Sequence, residues 1–459
     1  MSYTYPKSYD TLNNDQKLLF NMMVWGYDNG KHFFLTGDAG VGKSYLIQVF
    51  TDFCELNDLN LILTAPTGVA ATNIKGVTLH KMFKIPLTIV SETLSEQQLN
   101  NIYNIIQYVD IVLIDEISMA RIDVFDNTMS VISRANKTRL RKNKRPIMVI
   151  VAGDFGQLMP VITSTDRELY KQLTGKDIKN GNCFESHFWK DLKIIPIILK
   201  QQMRQSDNQF CNILNNVKIG LSQDIPYLNS NSSQKPIENG IWLCGINKSA
   251  DTKNVECLDK LEGKLYTSIA DIVGKANINQ TNLEEYLRFK IGARIVMLVN
   301  DNSNEHSYNN GSLGTITGYD KYLDEIYVKL DNGNTATIQP VEFDFYEYDV
   351  VNGEVIKEKV GYIRQFPFKI GYAITIHKSQ GQTYEKMNLV PEIFSPGQLY
   401  VALSRCRTLS NIYIQPDAFG NKLQSKYIMI DPEVIKFLED TKSIFERFKE
   451  FFKSKFSVA

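Results

Sequence analysis

The fold of this chain is decided by the stretch Gly37-Asp38-Ala39-Gly40-Val41-Gly42-Lys43-Ser44. The stretch matches GxxxxGK[ST], follows the apolar run Phe33–Leu35 and precedes a helical segment. Glycines in such a loop let backbone N–H groups turn towards phosphate oxygens, and the helix N-terminus adds partial positive charge. Lys43 would reach the β- and γ-phosphates, and the Ser44 hydroxyl would ligate Mg²⁺. The sequence therefore predicts a phosphate loop for ATP and Mg²⁺.

The composition excludes several classes of protein. The 459 residues are 43% hydrophobic and 22% charged, which is typical of a globular chain of roughly two to four domains. The 51 basic and 51 acidic residues give zero net charge, so coating nucleic acid by bulk charge is disfavoured, whereas a local basic channel is compatible. No apolar run reaches the length of a membrane span, and the N-terminus MSYTYPKSYD lacks the core of a signal peptide.

The six cysteines are scattered and form no CxxC pair. This spacing argues against a zinc site and against a disulfide framework. It fits an intracellular, reducing compartment, with the cytoplasm, the nucleus and a virus-infected cell all left open.

Short apolar runs alternate with helical stretches along the first third of the chain. Buried strands are predicted at Phe33–Leu35, Leu59–Thr64, Ile111–Ile114 and Ile147–Ala152, with helices at Ser44–Leu56 and Val124–Arg134. This alternation indicates parallel βαβ units, and hence an α/β fold with a doubly wound sheet. A second such set is predicted at Ile241–Cys244, Ala293–Val299, Met387–Val390 and Asn411–Ile414.

Two later segments differ from this pattern in composition and in the spacing of apolar residues. Residues 310–364 are rich in Gly, Asn, Asp, Tyr and Val with short alternations and a hairpin turn at Asp331–Gly333, which predicts a small antiparallel barrel. The tail from Val434 to Ala459 has phenylalanines at helical spacing with lysines between them. It predicts a terminal helix packed on the core, with a partner-docking or membrane-surface helix as the less favoured alternative.

An acidic pair and a glutamine follow two of the predicted strands. Asp115 and Glu116 end the run Ile111–Ile114, at the edge of a parallel sheet where ligands bind. Asp115 would hold Mg²⁺ and Glu116 would polarise the attacking water, although a lone Asp-Glu pair also commonly caps a strand end. Gln157, after the third run, is placed to contact the γ-phosphate or its water, or is a plain turn residue.

Taken in order, the motifs resemble the petite-integration-frequency (PIF) helicases, which are RecD-like members of helicase superfamily one. The resemblance is carried by GDAGVGKS, TAPTGVAATNIKGVTLHKMF (Thr64–Phe83), DEISM (Asp115–Met119), GDFGQLMPV (Gly153–Val161), Met203-Arg204-Gln205, AITIHKSQGQT (Ala373–Thr383) and QLYVALSRCR (Gln398–Arg407). It covers most of the chain. It implies two RecA-like motor domains with ATP between them and single-stranded DNA across their top.

The resemblance also implies a division of the chain and a role for further residues. The first motor domain would span residues 1–200, with a short strand-separating insert at about 87–104. The second would span 201–459, with the barrel at about 310–364 and the C-terminal helix at 434–459. Gln16 matches the adenine-reading glutamine, Arg204 and Arg405 match the arginines that reach the γ-phosphate, and Gln380 and Gly381 match the motif that couples the nucleotide cleft to DNA. The positions that match DNA-contacting residues are Pro66, Thr67, Thr78, His80, Phe155, His377 and Lys378.

We therefore expect an ATP-dependent DNA helicase that moves 5′ to 3′ on single-stranded DNA and on junctions with a single-stranded tail, in replication, repair or recombination. No membrane is expected to take part, and protein partners are unknown. Two alternatives stay open: a translocase that displaces proteins with little unwinding, and a non-enzymatic DNA-binding scaffold subunit with a vestigial ATP site.

Overall fold

The computed structural model describes residues 3–86, 102–201, 207–301, 307–308, 310–351 and 354–456. Its strands are β1 Phe33–Gly37, β2 Leu61–Ala65, β3 Val77–Thr78, β4 Ile111–Ile114, β5 Met148–Ala152, β6 Ile195–Leu199, β7 Ile241–Cys244, β8 Tyr266–Ile269, β9 Asp271–Gly274, β10 Tyr286–Phe289, β11 Arg294–Met297, β12 Leu313–Asp320, β13 Glu325–Leu330, β14 Thr335–Ile338, β15 Val341–Val351, β16 Glu354–Gln365, β17 Phe368–Ile370, β18 Ala373–Thr375, β19 Met387–Leu389 and β20 Ile412–Ile414. Its α-helices are α1 Asn14–Asp28, α2 Lys43–Leu56, α3 Gly68–Asn73, α4 Leu79–Phe83, α5 Ile122–Arg141, α6 Ser164–Thr174, α7 His187–Asp191, α8 Asn208–Lys218, α9 Ile225–Asn231, α10 Asn247–Asp259, α11 Gln398–Leu403 and α12 Pro432–Phe456.

A six-stranded parallel sheet forms the first part of the molecule, in the order β3-β2-β4-β5-β1-β6. Strands β1, β4 and β5 are buried along their whole length, which explains their continuous apolar sequences. The predicted strands agree with β1, β2, β4 and β5 to within two residues at each end. The carboxyl ends of these strands lie along one edge, so the residues that follow them are brought together.

A second parallel sheet has the order β18-β7-β19-β20. The predicted strands at Ile241–Cys244, Met387–Val390 and Asn411–Ile414 belong to it, but the one at Ala293–Val299 does not. That segment forms β11, which joins an antiparallel sheet, and the short strand β18 takes its place. The prediction was wrong because all four residues of β11 are buried, and an antiparallel strand covered on both faces has the same apolar pattern as a parallel one.

The strands from β8 to β17 form an accessory region that begins earlier than the predicted barrel. Its largest sheet is antiparallel, in the order β14-β13-β12-β11-β17, and a two-stranded and a three-stranded sheet lie beside it. Within the described residues, the edge strands β14 and β17 do not pair with each other, so no closed barrel is observed. The predicted turn at Asp331–Gly333 is confirmed, because it joins the paired strands β13 and β14.

The long hairpin β15–β16 reaches from the accessory region to the first sheet. Tyr348 is buried, and its hydroxyl accepts a 3.0 Å hydrogen bond from the Leu63 backbone N–H of β2. Lys81 and Glu347 form an ion pair of 3.3 Å beside this contact. The hairpin therefore ties the accessory region to the outer part of the first sheet.

The C-terminal helix α12 packs on the first sheet, against β6. Phe445 and Phe452 are buried in the core beneath that sheet, and Phe437 stacks on Phe184 with ring centroids 4.2 Å apart. The prediction of a packed terminal helix is confirmed, and the apolar face of this helix is covered by the first sheet. None of the helices in the described ranges combines the length and apolar character needed to cross a membrane.

Candidate active site

The phosphate loop joins β1 to α2 at the carboxyl edge of the first sheet. Gly40 and Gly42 have φ angles of +84° and +88°, which residues with a side chain rarely adopt. The Lys43 ammonium donates to the backbone carbonyls of Gly37, at 2.7 Å, and Asp38, at 3.0 Å. Burial lowers the pKa of Lys43, while the carboxylates of Asp154 and Glu116 oppose that change. The lysine is thus folded back over a loop shaped to surround phosphate oxygens.

Gln16 lies beside this loop because α1 is capped at its first turn. Asn13 accepts a hydrogen bond from the Gln16 backbone N–H, and the Gln16 side chain accepts one from the Asn13 backbone N–H. The Gln16 amide nitrogen lies 2.7 Å from where a Cβ on Gly42 would stand, so the Gln16 side chain lies directly against the phosphate loop. Tyr45, which is 43% exposed and also lines the cleft, was not singled out from the sequence.

The predicted acidic pair follows β4 directly. Glu116 has a φ of +50°, a strained conformation for a residue with a side chain, and its N–H donates to Asp115 Oδ1 at 2.9 Å. Burial and the Glu116 carboxylate raise the pKa of Asp115 to about 7. Burial also raises the pKa of Glu116, against the lowering effects of Lys43 and Arg405. Two crowded carboxylates form the oxygen-rich, anionic donor set that Mg²⁺ prefers, so these residues fit the ion.

A glutamine pair connects the two parallel sheets. Gln380, in the loop after β18, donates from its amide nitrogen to Glu116 Oε2 at 3.1 Å and to Gln157 Oε1 at 3.2 Å. Its amide oxygen is buried and accepts no hydrogen bond from any of the described residues. The predicted residues after β4, β5 and β18 therefore meet at one point, with an acceptor left over for a ligand or water.

Arg405 enters the same cleft from the second sheet. It is 1% exposed, and its guanidinium donates to the backbone carbonyls of Val401, Ser379 and Gln382 and to the Ser404 hydroxyl. These bonds hold it rigidly at the end of α11. The other predicted arginine, Arg204, lies outside the described residues, as does most of the predicted insert at 87–104.

The cleft between the two sheets has a volume of about 340 Å³. Sequence reasoning missed Arg407, which is exposed and lines the cleft two residues beyond Arg405. The full lining consists of Ala39, Gly40, Val41, Gly42, Lys43, Ser44, Tyr45, Glu116, Gln157, Gly381, Thr383, Arg405 and Arg407.

Most of the residues matched to DNA contacts lie in loops after strands. Thr67 and Thr78 cap the helices α3 and α4, because their hydroxyls accept backbone N–H groups at 3.2 Å. The His80 ring is fixed by a 3.0 Å hydrogen bond between its Nδ1 and the Ile85 carbonyl. Pro66, preceding Thr67, is half-buried. Pro66 and Thr67 follow β2 and Thr78 ends β3, so these positions lie along the same edge of the sheet as the phosphate loop.

Lys378 and His377 follow β18 on the second sheet. Lys378 is exposed and His377 is half-buried, and burial lowers the pKa of His377. Sequence reasoning missed a neighbouring cavity of about 140 Å³, to which Lys369 contributes together with Thr375 and Lys378. Burial and the nearby Lys378 lower the pKa of Lys369 to about 8.

Phe155, which the resemblance matches to a DNA contact, has its side chain enclosed in the core of the first sheet. Its side chain is 2% exposed and packs edge-on against Phe184 and Trp189, with ring centroids 5.0 and 5.8 Å apart. The aromatic face of α12 covers it, through Phe437 at 5.2 Å. A ring enclosed in this way has no face on which a base could stack.

The fold and the cleft define a phosphate-loop, nucleotide-binding α/β protein whose site is completed by a second parallel sheet. The model of the PIF1-like helicase family matches residues 11–224. The ATP-dependent DNA helicase Pif1 of Campylobacter jejuni is 31% identical over 445 residues, covering 90% of this chain and 95% of the relative. The chain belongs to the PIF1-like helicase family.

Solved structures give the same family at the level of the fold. Unliganded Pif1 from Bacteroides is 30% identical, with a TM-score of 0.79 over 94% of this chain and 97% of the other. The same Bacteroides protein bound to single-stranded DNA gives a TM-score of 0.59 at the same identity and coverage. The present arrangement is thus closer to the DNA-free form than to the DNA-bound form.

Proposed function

We propose that this chain is an ATP-dependent DNA helicase that moves along single-stranded DNA. The observation that carries the proposal is the contact of Gln380 with Glu116 and Gln157 in a cleft that also contains Lys43 and Arg405. Elements of both parallel sheets meet where the γ-phosphate would lie. Loss of that phosphate can therefore change contacts made by residues of both sheets, as a nucleotide-driven motor requires.

The site residues divide the chemistry between them. Lys43 leaves the carbonyls it now contacts and binds the β- and γ-phosphates, while Gln16 binds the adenine edge. Glu116 orients the attacking water, assisted by Gln157 and Gln380, and Arg405 stabilises charge on the γ-phosphate. Mg²⁺, held by Ser44 and Asp115, would neutralise charge on the phosphate oxygens.

The two sheets act as two motor domains, divided at about residue 200, with α12 added to the first. Single-stranded DNA would lie across loops of both domains, contacted through its phosphates rather than read by sequence. We assign to this track Pro66, Thr67, Thr78, His80, His377 and Lys378, with Arg204 as a second arginine at the nucleotide.

The family resemblance supports 5′ to 3′ movement, and DNA junctions with a single-stranded tail as substrates, in replication, repair or recombination. We also propose an intracellular, reducing environment. The observation in its favour is that the six cysteines are free thiols.

The test is ATP hydrolysis with and without a single-stranded oligonucleotide, at low and high salt. We expect strong stimulation that weakens with salt, because phosphate contacts release counterions. The Lys43→Ala variant should lose hydrolysis, whereas Lys171→Ala, which removes an exposed ion pair with Asp177, should keep it. DNA binding without any hydrolysis would reject the motor in favour of a scaffold. Hydrolysis that drives protein displacement but no strand separation would indicate a translocase.

A further inference from the structure

A buried lysine that belongs to no sequence motif links the two motor domains behind the phosphate loop. Lys218 ends helix α8, whose apolar side packs in the core of the second sheet. Its ammonium forms ion pairs with Asp38 Oδ1 at 2.8 Å and with Asp154 Oδ1 at 2.7 Å. Asp38 lies in the phosphate loop and Asp154 follows β5, three residues before Gln157. A cation from the second domain thus lies between two catalytic loops of the first.

A second residue of the second domain, Tyr400, contacts the same two loops. The Tyr400 hydroxyl, from α11 of the second domain, donates to Asp154 Oδ2 at 3.3 Å and accepts the Ala39 backbone N–H at 3.2 Å. Asp154 is fully buried and also accepts the Gly156 N–H at 3.0 Å. The phosphate loop and the β5 loop are therefore held by the same two residues of the second domain, Lys218 and Tyr400.

The packing leaves the lysine little freedom. A Cβ added to Gly156 would stand 2.3 Å from Lys218 Cε, so the lysine stem lies flat on the backbone beside Gln157. A Cβ added to Gly397, which precedes α11, would stand 2.2 Å from the Gln157 carbonyl oxygen. The backbone that carries Gln157 is thus in direct contact with the second domain on both sides.

The charge of Lys218 affects the electrostatic environment of Lys43. Burial by itself lowers the pKa of Lys218, but Asp154, Asp38 and Tyr400 together raise it well above its usual value, so the ammonium stays charged. Without it, Asp38 and Asp154 would still act on Lys43, because Lys43 interacts electrostatically with both carboxylates. Lys43 is the residue that the phosphates need.

We propose that Lys218 is a positioning residue for ATP hydrolysis, which balances Asp38 and Asp154 so that Lys43 is free to bind phosphate, and which makes the phosphate loop and the Gln157 loop move with the second domain. The assignment rests on the proposed function. A buried ion pair is weak evidence for stability, and the role assigned to this one is to fix the positions of the two loops relative to the second domain.

The test compares Lys218→Met with the double variant Lys218→Met/Asp38→Asn. For Lys218→Met we expect KM for ATP to rise about tenfold and DNA-stimulated kcat to fall about tenfold, within the range of coupling residues. Adding Asp38→Asn should restore KM, because the charge is balanced again, but not kcat, because the link between the domains stays broken. A purely structural lysine would not separate the two constants in this way. Lys171→Met serves as the matched exposed-lysine control.

Thermal unfolding of each variant shows whether it is folded in the assay. A folded Lys218→Met protein with KM and kcat within about twofold of wild type would overturn the assignment. If Lys218→Met does not fold, the single variant Asp38→Asn removes the Lys218–Asp38 ion pair and keeps the Lys218–Asp154 pair. It should lower kcat by about threefold without raising KM. An unchanged kcat would overturn the assignment. A wild-type protein that shows no ATP hydrolysis would reject the proposed function itself, whereas DNA-stimulated wild type beside an unaffected variant rejects only the role of Lys218.

Discussion

The change Asp115→Asn tests whether the adjoining carboxylates of Asp115 and Glu116 store electrostatic strain. The structure gives Asp115 a pKa of about 7 instead of 3.8, because of burial and the adjoining Glu116 carboxylate. The folded protein therefore holds a proton on Asp115 more tightly than the unfolded chain does, and its stability falls as pH rises from about 4 to 7. A difference of about three pKa units corresponds to about 4 kcal/mol, as an upper limit.

Asparagine keeps the acceptor for the Glu116 N–H and removes the charge. Asp115→Asn should therefore be more stable than wild type at pH 8, by up to about 4 kcal/mol, with the advantage disappearing near pH 4. The measurement is the thermal midpoint at pH 5, 6.5 and 8 without metal or nucleotide. Adding Mg²⁺ with a non-hydrolysable nucleotide should stabilise wild type more than the variant, since the ion needs the carboxylate.

Asp166→Asn is a control of opposite sign. Hydrogen bonds from the Thr163 backbone and hydroxyl lower the pKa of Asp166, so its stabilising effect is present at neutral pH and is lost as pH falls. Asp166→Asn should accordingly lose stability at pH 8. If Asp115→Asn gains no more at pH 8 than at pH 5, the account of a strained acidic pair is refuted.

Three other changes test separate parts of the structure. Arg405→Ala should keep nucleotide binding but lose about 10³-fold in turnover, and normal single-turnover hydrolysis would count against its role at the γ-phosphate. Tyr348→Phe leaves the buried Leu63 N–H without an acceptor and should lower the free energy of unfolding by about 1–3 kcal/mol, whereas Tyr346→Phe, whose hydroxyl bonds to Asp344, is the control; equal midpoints would contradict the hairpin anchor. Gln16→Ala should raise KM for ATP and narrow the preference for ATP over GTP, and an unchanged nucleotide preference would show that it does not bind the base.

The sequence was most informative where backbone geometry is set locally. The phosphate loop needs glycines at positive φ directly between a strand and a helix, so its whole structure is contained in eight consecutive residues. The shared edge after β2, β4 and β5 could be predicted for a related reason, because buried parallel strands have continuous apolar sequences and their carboxyl ends lie along one edge. These local rules led to Lys43, Asp115 and Glu116.

The sequence could not decide which surfaces meet. The pattern of β11 shows that Ala293–Val299 is buried, but not which sheet buries it. The phenylalanines of α12 show an apolar face, but not that the first sheet covers it and thereby encloses Phe155. Both outcomes depend on contacts between residues far apart in the chain, and periodicity describes one element at a time.

The sequence by itself determined that this chain has a phosphate loop, two sets of buried parallel strands and the ordered motifs of its helicase family. Only the tertiary structure decided that Gln380 meets Glu116, and that Lys218 pairs with Asp38 and Asp154 across two domains. A motif is recognisable in a sequence when several neighbouring residues form one site together. A buried ion pair between distant segments takes only one charged residue from each segment. Such a pair leaves no pattern along the chain, and the folding of the whole molecule creates it.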